Sequence, residues 1–131
     1  MADWTGVSRS NYVKVKDVEA FKAAMAPLEV SVQESRDEPG SFCLLAETEY
    51  GGWPNYDSET DNHYDLEAVV APHLADGQVC VFVSSGAERS RYVTGDSLAF
   101  DNTGEVIYLN IDDIYELAKA KFGIDPSKAE Y

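Results

Sequence analysis

The sequence predicts one α+β domain over residues 1–131, a ferredoxin-like βαββαβ core followed by a C-terminal β-meander and a terminal helix. Three observations carry this reading. Apolar and polar residues alternate over 12–16 and 29–34, apolar residues recur at helical spacing over 18–28, and short strand-like runs separated by turn residues fill 89–109. At 131 residues, 44 % of them apolar, the chain is long enough to bury a core without metal or disulfide staples.

The elements follow in order. Residues 12–16 form the first strand. Asp17 is a helix N-cap, Val18, Phe21, Met25 and Leu28 give one apolar stripe, and Pro27 closes the helix. Strands at 29–34 and 41–48 make a hairpin around the turn residues Asp37, Glu38, Pro39 and Gly40. Residues 50–64, with Gly51, Gly52 and Pro54, have no period and read as an irregular loop of the kind that is functional or disordered. Asp65 caps a short helix carrying Leu66, Val69, Val70 and Leu74, interrupted by Pro72. The run 78–84 is apolar on both faces, as expected of a central strand. Strands at 89–94, 97–101 and 105–109 are joined by turns at Gly95–Asp96 and 102–104. The last helix starts near Asp112, gathers Ile111, Ile114, Tyr115, Ala118 and Phe122 on one face, and stops at Gly123.

Charge is the sharpest functional signal. Residues 37–88 contain no lysine or arginine, yet carry Asp37, Glu38, Glu47, Glu49, Asp57, Glu59, Asp61, Asp65, Glu67, Asp76 and Glu88. Residues 1–36 are balanced, so the net charge of −14 belongs to the rest of the chain. Such a field repels nucleic acid and anionic membranes and attracts basic surfaces. No apolar run is long enough to span a bilayer, and the first residues lack the basic start and apolar stretch of a secretory signal. The expectation is a cytoplasmic protein.

Within the acidic stretch, seven carboxylates alternate with aromatics over 47–67. Glu47, Glu49, Tyr50, Trp53, Tyr56, Asp57, Glu59, Asp61, Asp65 and Glu67 are therefore the candidate partner-binding residues, the aromatics as anchors and the carboxylates for steering. The competing reading is a solvated loop whose aromatics, Trp53 first, fold back onto the core. Eleven carboxylates match the charge of roughly 19 Å of duplex at about 1.7 Å per phosphate, so mimicry of a short DNA segment is a further reading. It requires the acids to share one face.

Other chemistries find little support. Asp57, Glu59, Asp61 and Asp65 fall at positions 1, 3, 5 and 9 of a calcium-loop register, but position 6 is Asn62 and position 12 is Ala68. His63 and His73 belong to no zinc-spaced cluster, and no hydrolase or phosphate-loop motif is present. Cys43 and Cys80 sit in apolar runs and read as buried small hydrophobes. Arg89 and Arg91 are the only cations between 37 and 118, with an internal charge-relieving role. The expectation is a protein that is no enzyme and calls for no cofactor and no metal.

Three strings resemble a group of small proteins from plasmids, phages and integrated elements. They are 8–12 leading into Lys16 and Asp17, 91–95 leading into a hairpin, and 112–115. In charge and size the chain is also similar to the anti-restriction and anti-CRISPR proteins of mobile elements, several of which act as acidic nucleic-acid mimics. The first resemblance implies a bacterial host cell as the setting and supplies no site residues. Together they imply a non-enzymatic inhibitor that binds the basic surface of a nucleic-acid-handling defence protein, without binding nucleic acid or membrane itself. The alternatives are an immunity or antitoxin protein that neutralises a basic toxin, and a small ligand-binding or enzymatic domain.

Overall fold

The computed structural model describes residues 4–89 and 92–129. In chain order the elements are β1 (Trp4–Ser10), β2 (Val13–Lys14), α1 (Val18–Met25), β3 (Val30–Glu34), β4 (Ser41–Ala46), β5 (Tyr56–Asp57), β6 (Asn62–His63) and α2 (Leu66–Val70). A 3-10 turn (Ala71–His73), β7 (Cys80–Glu88), β8 (Tyr92–Phe100), β9 (Val106–Asn110) and α3 (Asp113–Phe122) follow. The class is α+β, as expected.

Every strand pairing is antiparallel. β4 pairs with β3 and with both β1 and β2, and the sheet continues through β1, β7, β8 and β9. β1 and β2 behave as one strand broken at Asn11 and Tyr12. From Arg9↔Leu45 to Val13↔Phe42 the chain takes one more step than β4 does, which is the signature of a bulge. The break is repaired by side chains. Ser10 Oγ accepts from the Leu44 N–H at 2.8 Å and donates to the Asn11 carbonyl at 2.8 Å. Asn11 donates from Nδ2 to the Val79 carbonyl and accepts from the Val81 N–H, so it extends the ladder toward β7.

Cross-strand partners share a face, and one face carries the core. Val13, Phe42, Leu44, Cys80, Phe82 and Phe100 are buried there beneath Phe21 and Met25 of α1, Leu66 and Val70 of α2, and Leu74. Asp17 caps α1 by accepting from the Ala20 N–H at 3.1 Å. Pro72 ends α2 in the 3-10 turn, where the His73 ring meets Phe21 edge-on at 5.8 Å. The opposite face carries Val7, Val83, Val93, Ile107 and Leu109, all exposed.

The structure corrects several expectations. The first strand is not 12–16 but the longer β1 before it, whose core-facing positions include Ser8 and Ser10 rather than a run of large apolar residues. Ser8 is buried and satisfied by the Ser84 hydroxyl at 2.7 Å. Gly95 and Asp96 are not a turn, because β8 runs straight through them and pairs with β7 along its whole length. The reversal lies where Arg89 adopts φ 54°; Ser90 and Arg91, part of the strand expected at 89–94, lie outside the described residues. β7 is central, but only one of its faces is covered, since Val83 is exposed. The loop at 50–64 contains the small β5–β6 hairpin.

Ser10→Ala should remove the acceptor of a buried N–H and cost about 1–3 kcal/mol. Urea unfolding should show the lower midpoint with an unchanged slope. An unchanged midpoint would mean that water replaces the hydroxyl and that the break needs no side-chain repair.

Candidate functional site

After β4 the chain is tied down step by step. The Glu47 N–H donates to the Glu29 carbonyl, the Gly51 N–H to the Thr48 carbonyl, and the Gly6 N–H of β1 to the Tyr50 carbonyl at 2.9 Å. Gly51 has φ +92° and lies against the Gly6 carbonyl, a space that a Cβ would occupy. Trp53 then turns inward and packs its ring on Phe82 at 4.5 Å between centroids. Pro54 is buried beside it. The Tyr64 N–H donates to the Asn55 carbonyl and fixes the base of the β5–β6 hairpin, where the Tyr56 and His63 rings lie 5.2 Å apart. From the other side the Trp4 indole lies close over Gly6 and Gly86 and donates from Nε1 to Thr94 Oγ1 at 2.6 Å.

These pieces enclose a cleft of about 500 Å³ lined by Trp4, Glu29, Thr48, Glu49, Tyr50, Gly52, Trp53, Pro54, Asn55 and Tyr56. Its walls carry four aromatic rings and two carboxylates, and no cation. Trp53 Nε1 is buried without a hydrogen-bond partner among the described residues.

The local field is negative. The Tyr64 hydroxyl is pushed above its usual pKa by burial first, then by the charges of Glu29 and Asp57. The Tyr56 hydroxyl is raised mainly by its hydrogen bond to Asp61, with burial and Asp57 adding to it. Tyr108 is raised most by the charge of Glu67.

Of the residues singled out in the sequence, Glu49, Tyr50, Trp53 and Tyr56 meet in this cleft. Trp53 also takes the core position that the competing reading gave it. Glu47 is exposed just before the cleft's loop. Asp57, Glu59 and Asp61 belong to the hairpin, where Asp57 Oδ1 accepts from the Glu59 N–H at 2.9 Å and Asp61 accepts from the Tyr56 hydroxyl. Asp65 and Glu67 line a different groove, with Phe100, Val106 and Tyr108. Trp4 and Glu29 are the additions. Both lie outside the acidic–aromatic segment, and only the sheet brings them to it.

Among the described residues no group of three or more His, Cys, Asp or Glu side chains is placed to hold a metal ion. Cys43 and Cys80 are buried, and burial pushes the Cys80 thiol up to about 12.

Trp53→Ala should cost about 3–5 kcal/mol in a denaturant titration, because the ring fills space against Phe82. A loss below about 1 kcal/mol would show that the ring is not part of the packed core. Cys80 should resist alkylation in the native protein and react on unfolding. Its ordinary value of 9.0 is raised in the fold, so its burial contributes stability that is complete below pH 9 and is lost as pH rises toward about 12. Rapid native alkylation of Cys80 would contradict this.

In comparisons with known proteins, no family model, no curated protein and no solved structure matches the chain.

Proposed function

We propose that this chain is a non-enzymatic protein-binding domain whose cleft captures a basic side chain of its partner. The observation that carries this reading is the lining itself: Trp4, Tyr50, Trp53 and Tyr56 around Glu29 and Glu49, with no cation. A guanidinium stacks on aromatic faces and pairs with carboxylates in the same plane, and each contact gains as water leaves. The exposed acids of the β5–β6 hairpin steer the partner toward the cleft.

The partner we propose is the basic, nucleic-acid-handling surface of a bacterial defence protein, and the outcome of binding is its inhibition. The base-free stretch and the resemblance to mobile-element proteins support that choice. The burial of both cysteines supports the non-enzymatic reading, since it shields them from a substrate, and the Cys80 thiol, pushed up to about 12, is a poor nucleophile. We also read the order β3, β4, β1, β7, with α1 and α2 on one face, as a ferredoxin-like core extended by β8 and β9.

A short glycine–serine peptide carrying one arginine, with citrulline in its place as the neutral control, tests the chemistry by tryptophan fluorescence. The arginine peptide should bind, and Glu29→Gln with Glu49→Gln should weaken it at least about tenfold. Replacing Asp57, Glu59, Asp61 and Asp65 with Asn or Gln should slow association with a basic protein and leave dissociation unchanged. Equal binding of the citrulline peptide, or full binding by the double variant, would overturn the assignment.

A further inference from the structure

The hydrogen-bonding groups around the cleft are largely engaged by the fold itself. The Glu29 carbonyl accepts from the Glu47 N–H, the Thr48 carbonyl from the Gly51 N–H, the Tyr50 carbonyl from the Gly6 N–H and the Asn55 carbonyl from the Tyr64 N–H. The Thr48 hydroxyl donates to the Gly52 carbonyl. Two of the rings likewise direct their donors elsewhere, Trp4 Nε1 to Thr94 and the Tyr56 hydroxyl to Asp61. What the lining offers a ligand is aromatic carbon from Trp4, Tyr50, Trp53 and Tyr56, with the carboxylates of Glu29 and Glu49.

Two of these rings are fixed before any ligand arrives. Gly6 and Gly86 face each other across β1 and β7, and a Cβ on either would come within 2.7 Å of the Trp4 ring, so the glycine pair is what lets that indole lie on the sheet. Trp53 is held against Phe82. Rings held in place take a cation without the cost of ordering them.

The cation that suits such a lining is one with no N–H to satisfy. A lysine ammonium is compact, strongly hydrated and carries three donors, and a donor that enters without an acceptor is penalised. Methylation keeps the charge and removes the donors. Its methyl groups then pack on the rings while the charge is attracted to their faces and to the two carboxylates.

We propose that the cleft takes a quaternary ammonium group in preference to an unmodified amine. The proposal rests on the reading that the cleft captures a cation, and it names the class of amine selected. A trimethylated lysine of a protein and a free choline-type molecule share this chemistry.

Tryptophan fluorescence of the full chain tests it with glycine–serine peptides that carry one trimethyllysine, one lysine, or the neutral isostere in which a tert-butyl group replaces the trimethylammonium. Trimethyllysine should bind at least about tenfold more tightly than either of the others. Tyr50→Leu and Tyr56→Leu, each lacking one ring, should each weaken it at least about threefold and weaken the lysine peptide less. Choline alone separates the two sources: affinity equal to that of the peptide assigns a free small molecule, and weaker binding assigns a protein side chain. Equal binding of lysine or of the neutral isostere would overturn the proposal, as would two leucine variants that bind as tightly as the parent. If the arginine peptide binds and trimethyllysine does not, this inference alone fails; if no cationic peptide binds, the cation reading fails with it.

Discussion

The contact between Trp53 and Phe82 is the constraint on which the functional reading depends. Phe82 is a buried residue of β7, a central strand, and Trp53 is the point at which the acidic loop reaches the core. With that ring seated, Pro54 is buried, Asn55 meets the base of the β5–β6 hairpin, and Tyr50 and Tyr56 are held on either side of Trp53 along the chain. The loop thus gains a fixed shape from one inserted aromatic and a few main-chain hydrogen bonds. Its carboxylates keep their access to solvent because the aromatics supply the burial.

That arrangement explains how a chain of net charge −14 folds around a single core. The acids lie on the loop, the hairpin and the rims of grooves, while the buried polar positions on the sheet are serines satisfied by one another, by main chain or, at Ser41, by the Glu38 carboxylate. The structure divides the acidic stretch rather than gathering it: Glu49 faces the cleft, Asp57 and Asp61 brace the hairpin, and Asp65 and Glu67 line the groove beside Tyr108. In the function we propose, steering by the exposed acids and selection by the aromatic cleft would therefore be separable properties. α3 takes no part in this division, and none of its residues is buried.

Local signals were legible in the sequence, and long-range ones were not. The α1 helix and its Asp17 cap, the β3–β4 hairpin and the Gly123 stop, with φ 72°, are set by residues close together in the chain. β1 was hidden because its core-facing serines show no apolar period, and their burial makes sense only beside Ser84 and Leu44. Gly95 beside Asp96 carries a turn signature, yet full pairing with β7 holds it extended. The apolar stripe of α3 was visible as periodicity, but periodicity does not say whether a helix packs on its own core. The aromatic–acidic composition of 47–67 marked four of the cleft residues. Trp4 and Glu29 reach the site through the sheet register alone.

The indole N–H resonances offer the most direct measurement of the central claim. The chain has two tryptophans, and Trp4 Nε1 already donates to Thr94 while Trp53 Nε1 has no partner among the described residues. On titration of the 15N-labelled protein with the arginine peptide, the Trp53 indole signal should shift as the guanidinium docks against its ring, with the Tyr50 and Tyr56 amides shifting alongside it. Saturable binding with both indole signals unmoved, and shifts clustered elsewhere, would contradict the account.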